Sequence, residues 1–229
     1  MAPDRSQRAE RDGPAAAACA GRPLGAPGAD LELADWRRQV GQLYAAVRAE
    51  RDPERGHARW RAGRDRLLRE HPQSPLAADD PFRESGVPYW PYDPGLRFEL
   101  SPRQAGERLA LGLATGDGET TVLRLVGWLD IPAPVEATVA LWWLDQYGGG
   151  LFLPLRDGTA GSTTYGGGRY VLDGAKRADL GGDHRSIVVD LNFSYHPSCR
   201  YSSDWRCPLA PEQSRIATDV RAGERLAHR

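Results

Sequence analysis

The stretch Thr120-Thr-Val-Leu-Arg-Leu-Val-Gly-Trp-Leu-Asp-Ile131, with the apolar run Thr138–Leu144 after it, decides the fold class. Both runs are rich in the β-branched and aromatic residues that favour strands, and Pro132-Ala-Pro134 separates them. Similar short runs recur roughly ten residues apart, a spacing typical of all-β domains. They predict further strands at Leu96–Leu100, Leu109–Leu113, Leu151–Leu155, Arg169–Leu172 and Arg185–Asn192. Residues 96–226 are therefore predicted to form a mainly antiparallel β-barrel or β-sandwich.

Two amphipathic helices are predicted upstream, within residues 31–71. Apolar residues recur at three- and four-residue spacing from Leu33 to Val47, which traces one face of a helix. Asp52-Pro53 then supplies an N-cap and a proline at the first helical position. The second helix runs to His71-Pro72, and its predicted inner stripe is Trp60, Arg64, Leu67 and Leu68. The fold class is α+β, with the helices packed on the sheet.

The chain of 229 residues is predicted to form one domain over residues 30–226. Residues 1–29 are rich in Ala, Gly, Pro and Arg without an apolar period, which predicts a disordered tail. Residues 72–95 form a Pro-rich connection whose aromatic residues would anchor it on the fold.

Composition limits the function classes. With 30 basic and 31 acidic residues, the net charge of −1 favours neither nucleic acid nor anionic lipid as a partner. No run reaches the roughly 18 apolar residues of a membrane span, and no secretory signal is apparent, so a cytoplasmic location is expected. No dinucleotide or phosphate-loop pattern occurs, and no cofactor or resident metal is predicted.

A Gly-rich turn is the first candidate site. Gly166-Gly-Gly-Arg-Tyr170 exposes backbone N–H groups beside Arg169, an arrangement suited to a ligand anion. A strand rather than a helix follows it, so an ordinary turn between strands is the alternative.

The run from Asp190 to Arg215 is the second candidate site. Asp190 and Asn192 share one face of the predicted strand end, where they either hold a small polar ligand or fix an irregular loop. Together the two segments predict a polar pocket with seven candidate ligand-binding residues: Arg169, Tyr170, Asp190, Asn192, Tyr195, Tyr201 and Arg215.

Cys199 and Cys207, which have seven residues between them, admit several interpretations. They suit small buried apolar groups, a disulfide, or a metal site completed by His184, His196 or Asp204. Cys199 with His196 also matches a nucleophile and base, which makes these two the candidate catalytic residues, although no oxyanion donor is identifiable.

These residues carry a family resemblance. The chain resembles the uncharacterised bacterial family called domain of unknown function 1684, over about residues 33–226. The resemblance rests on Asp190, Asn192, Tyr195, Pro197, Cys199 and Tyr201, then Cys207-Pro-Leu-Ala-Pro-Glu212, Arg215 and Val220-Arg-Ala-Gly-Glu224. One departure is Gln213-Ser214, where the family pattern has Asn before Arg. The resemblance implies no known activity.

The sequence thus leaves the function open. The leading hypothesis is a cytoplasmic small-ligand-binding or structural domain whose polar pocket lies near the Gly-rich turn and the C-terminal Tyr-Pro-Cys loop. The alternatives are a hydrolase-type enzyme that uses His196, Cys199 and Asp190, and a metal-stabilised domain.

Overall fold

The computed structural model describes residues 28–106, 108–115 and 119–227. The predicted disordered tail comprises residues 1–29, of which residues 1–27 lie outside the described residues. Ala29 already belongs to the first helix.

The two predicted N-terminal helices are confirmed. Helix α1 spans Ala29–Ala49 and α2 spans Pro53–Glu70, and a single turn, α3, follows at Phe82–Ser85. The Asp52 carboxylate caps α2 by accepting hydrogen bonds from the backbone N–H groups of Glu54 and Arg55. The helix ends at His71, because Pro72 disfavours helical geometry in the residue before it.

The β-rich part of the described chain contains eight strands. They are β1 Arg97–Leu100, β2 Arg103–Gln104, β3 Ala110–Ala114, β4 Thr120–Ile131, β5 Ala137–Leu144, β6 Leu151–Leu155, β7 Arg169–Asp173 and β8 Ile187–Asp190. Six form one antiparallel sheet in the order β2-β4-β5-β6-β7, with β3 also paired to β4. Strands β1 and β8 form a separate antiparallel pair.

The predicted α+β class is confirmed. The sheets are not closed, so of the two predicted alternatives, barrel or sandwich, the barrel does not form. The predicted strand Arg185–Asn192 is also shorter than expected. It ends at Asp190, because Leu191–Phe193 turn into a 3-10 helix capped by the Asp190 carboxylate. Asp190 and Asn192 therefore do not share a strand face.

The six-stranded sheet buries both faces at β5, β6 and β7. On β5, the side chains of Ala140, Trp142 and Leu144 pack into the core between the sheet and the helices. The same core contains Trp36, Tyr44, Trp60, Leu68 and Phe193. The alternate residues Val139 and Leu141 face a second core that contains β1, β8 and the C-terminal segment. The two cores place the helix pair and the β1–β8 pair on opposite sides of one sheet.

Candidate functional site

A narrow cleft lies between the helix pair and the loop that follows β8. Its volume is about 40 Å³, enough for roughly three water molecules or a comparably small ligand. The cleft is lined by Trp36, Val40, Leu43, Tyr44, Trp60, Arg64, Leu67, Lys176, Ala178, Tyr195 and Ser198. Most of these side chains are apolar, and the few polar groups among them determine what the cleft can bind.

The Tyr44 hydroxyl is the clearest polar feature of the cleft. Tyr44 is 2% exposed, and its hydroxyl has no hydrogen-bond partner among the described residues. The neighbouring Trp60 indole is a donor only, so it offers no acceptor for the Tyr44 proton. Burial raises the pKa of Tyr44 above its usual value, which keeps that proton in place. A buried donor without an acceptor is costly and points to an absent partner.

Arg64 on α2 supplies a second donor. Its Nε and Nη2 atoms donate to Glu224 Oε2 at 3.2 and 2.8 Å, and the guanidinium lies 4.6 Å from the ring centre of Tyr195. Nη2 also donates to the His196 carbonyl oxygen at 3.4 Å. Burial opposes the charge, but the Glu224 carboxylate outweighs it and raises the pKa of Arg64. No acceptor within the described ranges contacts Nη1.

Glu224 is fully buried and ionised. Its Oε2 accepts hydrogen bonds from Arg64 and from the His196 backbone N–H, the latter at 3.1 Å. Its Oε1 lies 3.3 Å from His196 Nδ1 but is not aligned for a hydrogen bond. Burial alone would raise the pKa of Glu224, yet the positive charge of Arg64 and the contacts with His196 lower it to about 2.

Lys176 and Tyr195 complete the polar wall of the cleft. The Lys176 ammonium lies 3.5 Å from Asp173 Oδ2, and the Tyr195 hydroxyl donates to the same oxygen at 3.4 Å. An ammonium has three donors, and Asp173 occupies one of them. Lys176 is the only lysine in the chain.

Arg169, the predicted anion-binding residue of the Gly-rich turn, is fully buried elsewhere. Its guanidinium lies 2.7 Å from Asp157 Oδ2 and donates to the carbonyl oxygens of Val220, Ala222 and Glu224. Burial lowers its pKa despite the Asp157 charge. These contacts attach the C-terminal segment to β7.

The Gly-rich turn itself is closely packed. The Gly168 N–H donates to the Tyr165 carbonyl oxygen at 2.9 Å, and Gly168 has a positive φ of 90°. A Cβ at this position would lie 2.7 Å from the Leu155 carbonyl oxygen, so a side chain would not fit. The glycines close a turn against neighbouring backbone.

Asp190 and Asn192 are fully buried and bind the Pro-rich connection. The Asn192 backbone N–H and Nδ2 donate to Asp190 Oδ1 at 3.0 and 2.8 Å, and Arg97 lies 3.2 Å from Oδ2. The Asn192 amide also exchanges two hydrogen bonds with the Asp93 backbone, at 2.8 and 2.9 Å. The two side chains fix the irregular loop after β8.

The remaining predicted ligand-binding residues lie apart. Tyr170 pairs with Tyr195 through two backbone hydrogen bonds, and its hydroxyl donates to the Pro208 carbonyl oxygen at 2.8 Å. Tyr201 packs edge-on against the His196 ring, and Arg215 lies in an open surface depression. Of the seven predicted residues, Tyr195 lines the cleft, while the others are not brought into one cavity.

The two candidate catalytic residues are directed to different groups. His196 Nε2 accepts a hydrogen bond from the Tyr165 N–H at 3.2 Å, and Nδ1 lies 3.3 Å from Glu224 Oε1, so each ring nitrogen lies against a group other than Cys199. Burial lowers the pKa of His196, which favours the neutral ring. Cys199 instead contacts Cys207. No cluster of three or more metal-ligating side chains occurs in the part of the chain that the structure describes.

Tyr44, Arg64 and Lys176 were not predicted as site residues. Arg64 carried a signal, because it is a charged residue inside the apolar stripe of α2 between Trp60 and Leu67. Tyr44 fits an ordinary core position by its spacing on α1, so its unpartnered hydroxyl became apparent only in three dimensions.

The chain belongs to a family of proteins of unknown function, DUF1684, whose model matches residues 83–225. It is also similar to the solution NMR structure of an uncharacterized protein from Haloarcula marismortui, with 31% identity and a TM-score of 0.52. That likeness covers 86% of this chain and 97% of the other. No curated protein matches the chain. None of the helices within the described ranges is long and apolar enough to cross a bilayer.

The buried Arg169–Asp157 pair yields a stability prediction. Replacing Arg169 with Met leaves the Asp157 carboxylate buried without its cation, which costs about 3–5 kcal/mol of unfolding free energy. Arg221→Met is the matched control, since the side chains of Arg221 and Asp219 are 74% and 50% exposed and such pairs contribute about 1 kcal/mol or less. Urea unfolding measures both, and equal losses would contradict this role for Arg169.

Glu224 yields a pH prediction. Its pKa in the folded protein, about 2, lies below the ordinary value of 4.5, so the unfolded chain takes up the proton first as the pH falls. The stabilisation, about 3 kcal/mol, is complete above pH 4.5 and is lost between there and pH 2. An NMR titration of the Glu224 carboxyl tests this. A Glu224 midpoint near 4.5 would refute the prediction.

Proposed function

We propose that this chain binds a small carboxylate in the cleft between the helix pair and the loop after β8. The observation that carries the proposal is the buried Tyr44 hydroxyl, which has no acceptor among the described residues. Further donors line the same cleft, because Arg64 and Lys176 have N–H groups beyond those that bind Glu224, His196 and Asp173. The ligand that complements such a site is a hydrogen-bond acceptor. Both cations already lie beside a carboxylate, so we infer a carboxylate ligand from its two acceptor oxygens, which can bind several of these donors at once.

The size and lining of the cleft limit the ligand further. A volume of about 40 Å³ admits a molecule of roughly the size of acetate. The apolar walls, which include Trp36, Val40 and Leu43, suit the methyl end of such a molecule. A ligand this small gains at most about 6 kcal/mol, which sets a lower limit of roughly 40 μM on its dissociation constant.

The proposal includes a small molecule as the partner, rather than nucleic acid or a membrane surface, and a cytoplasmic location. The near-balanced charge of the chain supports the first point. Fractionation of cells that express the full chain tests the location, and recovery of the chain outside the cytoplasm would contradict it.

Acetate binding is tested by NMR on the full, isotope-labelled chain. Sodium acetate should shift the indole N–H signals of Trp36 and Trp60 saturably, while that of Trp143, outside the cleft, stays in place. Sodium chloride at equal ionic strength and neutral acetamide are the ligand controls. The absence of saturable shifts, or equal binding of acetamide, would refute the proposal.

The variant Tyr44→Phe tests whether the Tyr44 hydroxyl donates a hydrogen bond to the ligand. It removes the hydroxyl while keeping the ring, so folding should be unaffected or improved, and acetate affinity should fall about tenfold. Tyr147→Phe is the matched control, because Tyr147 is fully exposed and should leave the affinity unchanged. Unchanged affinity in Tyr44→Phe would exclude the cleft as the binding site.

A further inference from the structure

Cys199 and Cys207 are brought together in the loop after β8, eight positions apart in the chain. The Cys199 backbone N–H donates to Cys207 Sγ at 3.4 Å. The Cys207 sulfur therefore lies against the backbone of Cys199. Both thiols are free in the structure.

The pKa values of the two thiols shift in opposite directions. The hydrogen bond from the Cys199 thiol lowers the pKa of Cys207 to about 6 against the effect of burial, and the Lys176 ammonium lowers it further. The same interaction with Cys207 raises the pKa of Cys199. The backbone N–H that Cys199 donates to Cys207 Sγ favours the thiolate on Cys207, an arrangement in which one sulfur attacks an oxidant and the other resolves the product.

We propose that Cys199 and Cys207 are a redox-active dithiol that hydrogen peroxide converts reversibly into an intramolecular disulfide. The inference extends beyond the proposed ligand binding and does not depend on it. Cys207 is 8% exposed and Cys199 is more accessible, so the pair lies just beneath the surface within reach of a small oxidant.

The reaction balances in two steps. The Cys207 thiolate attacks one oxygen of hydrogen peroxide, the O–O bond breaks, and Cys207 sulfenic acid and hydroxide form. Cys199 sulfur then attacks Cys207 sulfur, the S–O bond breaks, and the released hydroxide and the Cys199 proton form water. The proton from the first ionisation neutralises the first hydroxide. Two thiols and one peroxide thus give one disulfide and two water molecules, and a small dithiol reverses the change by exchange.

The test uses the full chain carrying Cys19→Ser, so that the remaining two of the three cysteines are the pair in question. One equivalent of hydrogen peroxide should remove both titratable thiols and lower the intact mass by two hydrogen atoms. Peptide mapping should find Cys199 linked to Cys207, and dithiothreitol should restore both thiols. Retention of both thiols, a dimer linked between chains, or oxygen added to separate cysteines would overturn the proposal.

Single variants assign the two roles. In Cys199→Ser, peroxide should leave a sulfenic acid on Cys207 that dimedone traps, because no resolving thiol remains. In Cys207→Ser, Cys199 should react at least tenfold more slowly than Cys207 does in Cys199→Ser, because only the Cys207 sulfur accepts the Cys199 backbone N–H and lies near the Lys176 charge. Equal trapping rates in the two variants would refute the assignment. Circular dichroism spectra matching the parent chain establish that each variant is folded.

Discussion

The buried ion pair between Arg64 and Glu224 joins the parts of the molecule that sequence separates. Glu224 is fully buried in the C-terminal segment, while Arg64 lies on α2, 160 positions earlier. The same carboxylate accepts the His196 N–H, so helix, loop and C-terminal segment meet at one charged group. Removing one partner of such a pair leaves an uncompensated charge, which costs about 3–5 kcal/mol. The geometry of the cleft depends on this contact.

This pairing also explains why the cleft has a cation. An isolated guanidinium would not stay in an apolar cleft, because its desolvation is unfavourable. The Glu224 carboxylate offsets that cost, so Arg64 keeps its charge while it lines the cleft. Hydrogen bonds to such a group are stronger than in water, because the surrounding side chains exclude solvent.

Local sequence patterns predicted the elements better than they predicted the contacts of the polar groups. The period of α1, the Asp52-Pro53 start of α2 and the strand composition of β4 depend on neighbouring residues, and the structure confirms them. The partners of Arg169 in the C-terminal segment lie more than 50 positions away, and Arg97 lies 93 positions from Asp190. Periodicity carries no information about such distant pairings. The sequence therefore predicted reactive residue types without showing which would face a cavity.

The region that the family model matches does not contain all the residues that line the cleft. Residues 83–225 include Lys176, Tyr195 and Glu224, but Tyr44 and Arg64 precede the matched region. A carboxylate as buried as Glu224, with a pKa of about 2, requires a cation beside it. In this chain α2 supplies that cation, so the matched region alone would contain a buried, uncompensated charge. Helix α2 therefore supplies the charge that compensates Glu224, and the same Arg64 side chain lines the cleft.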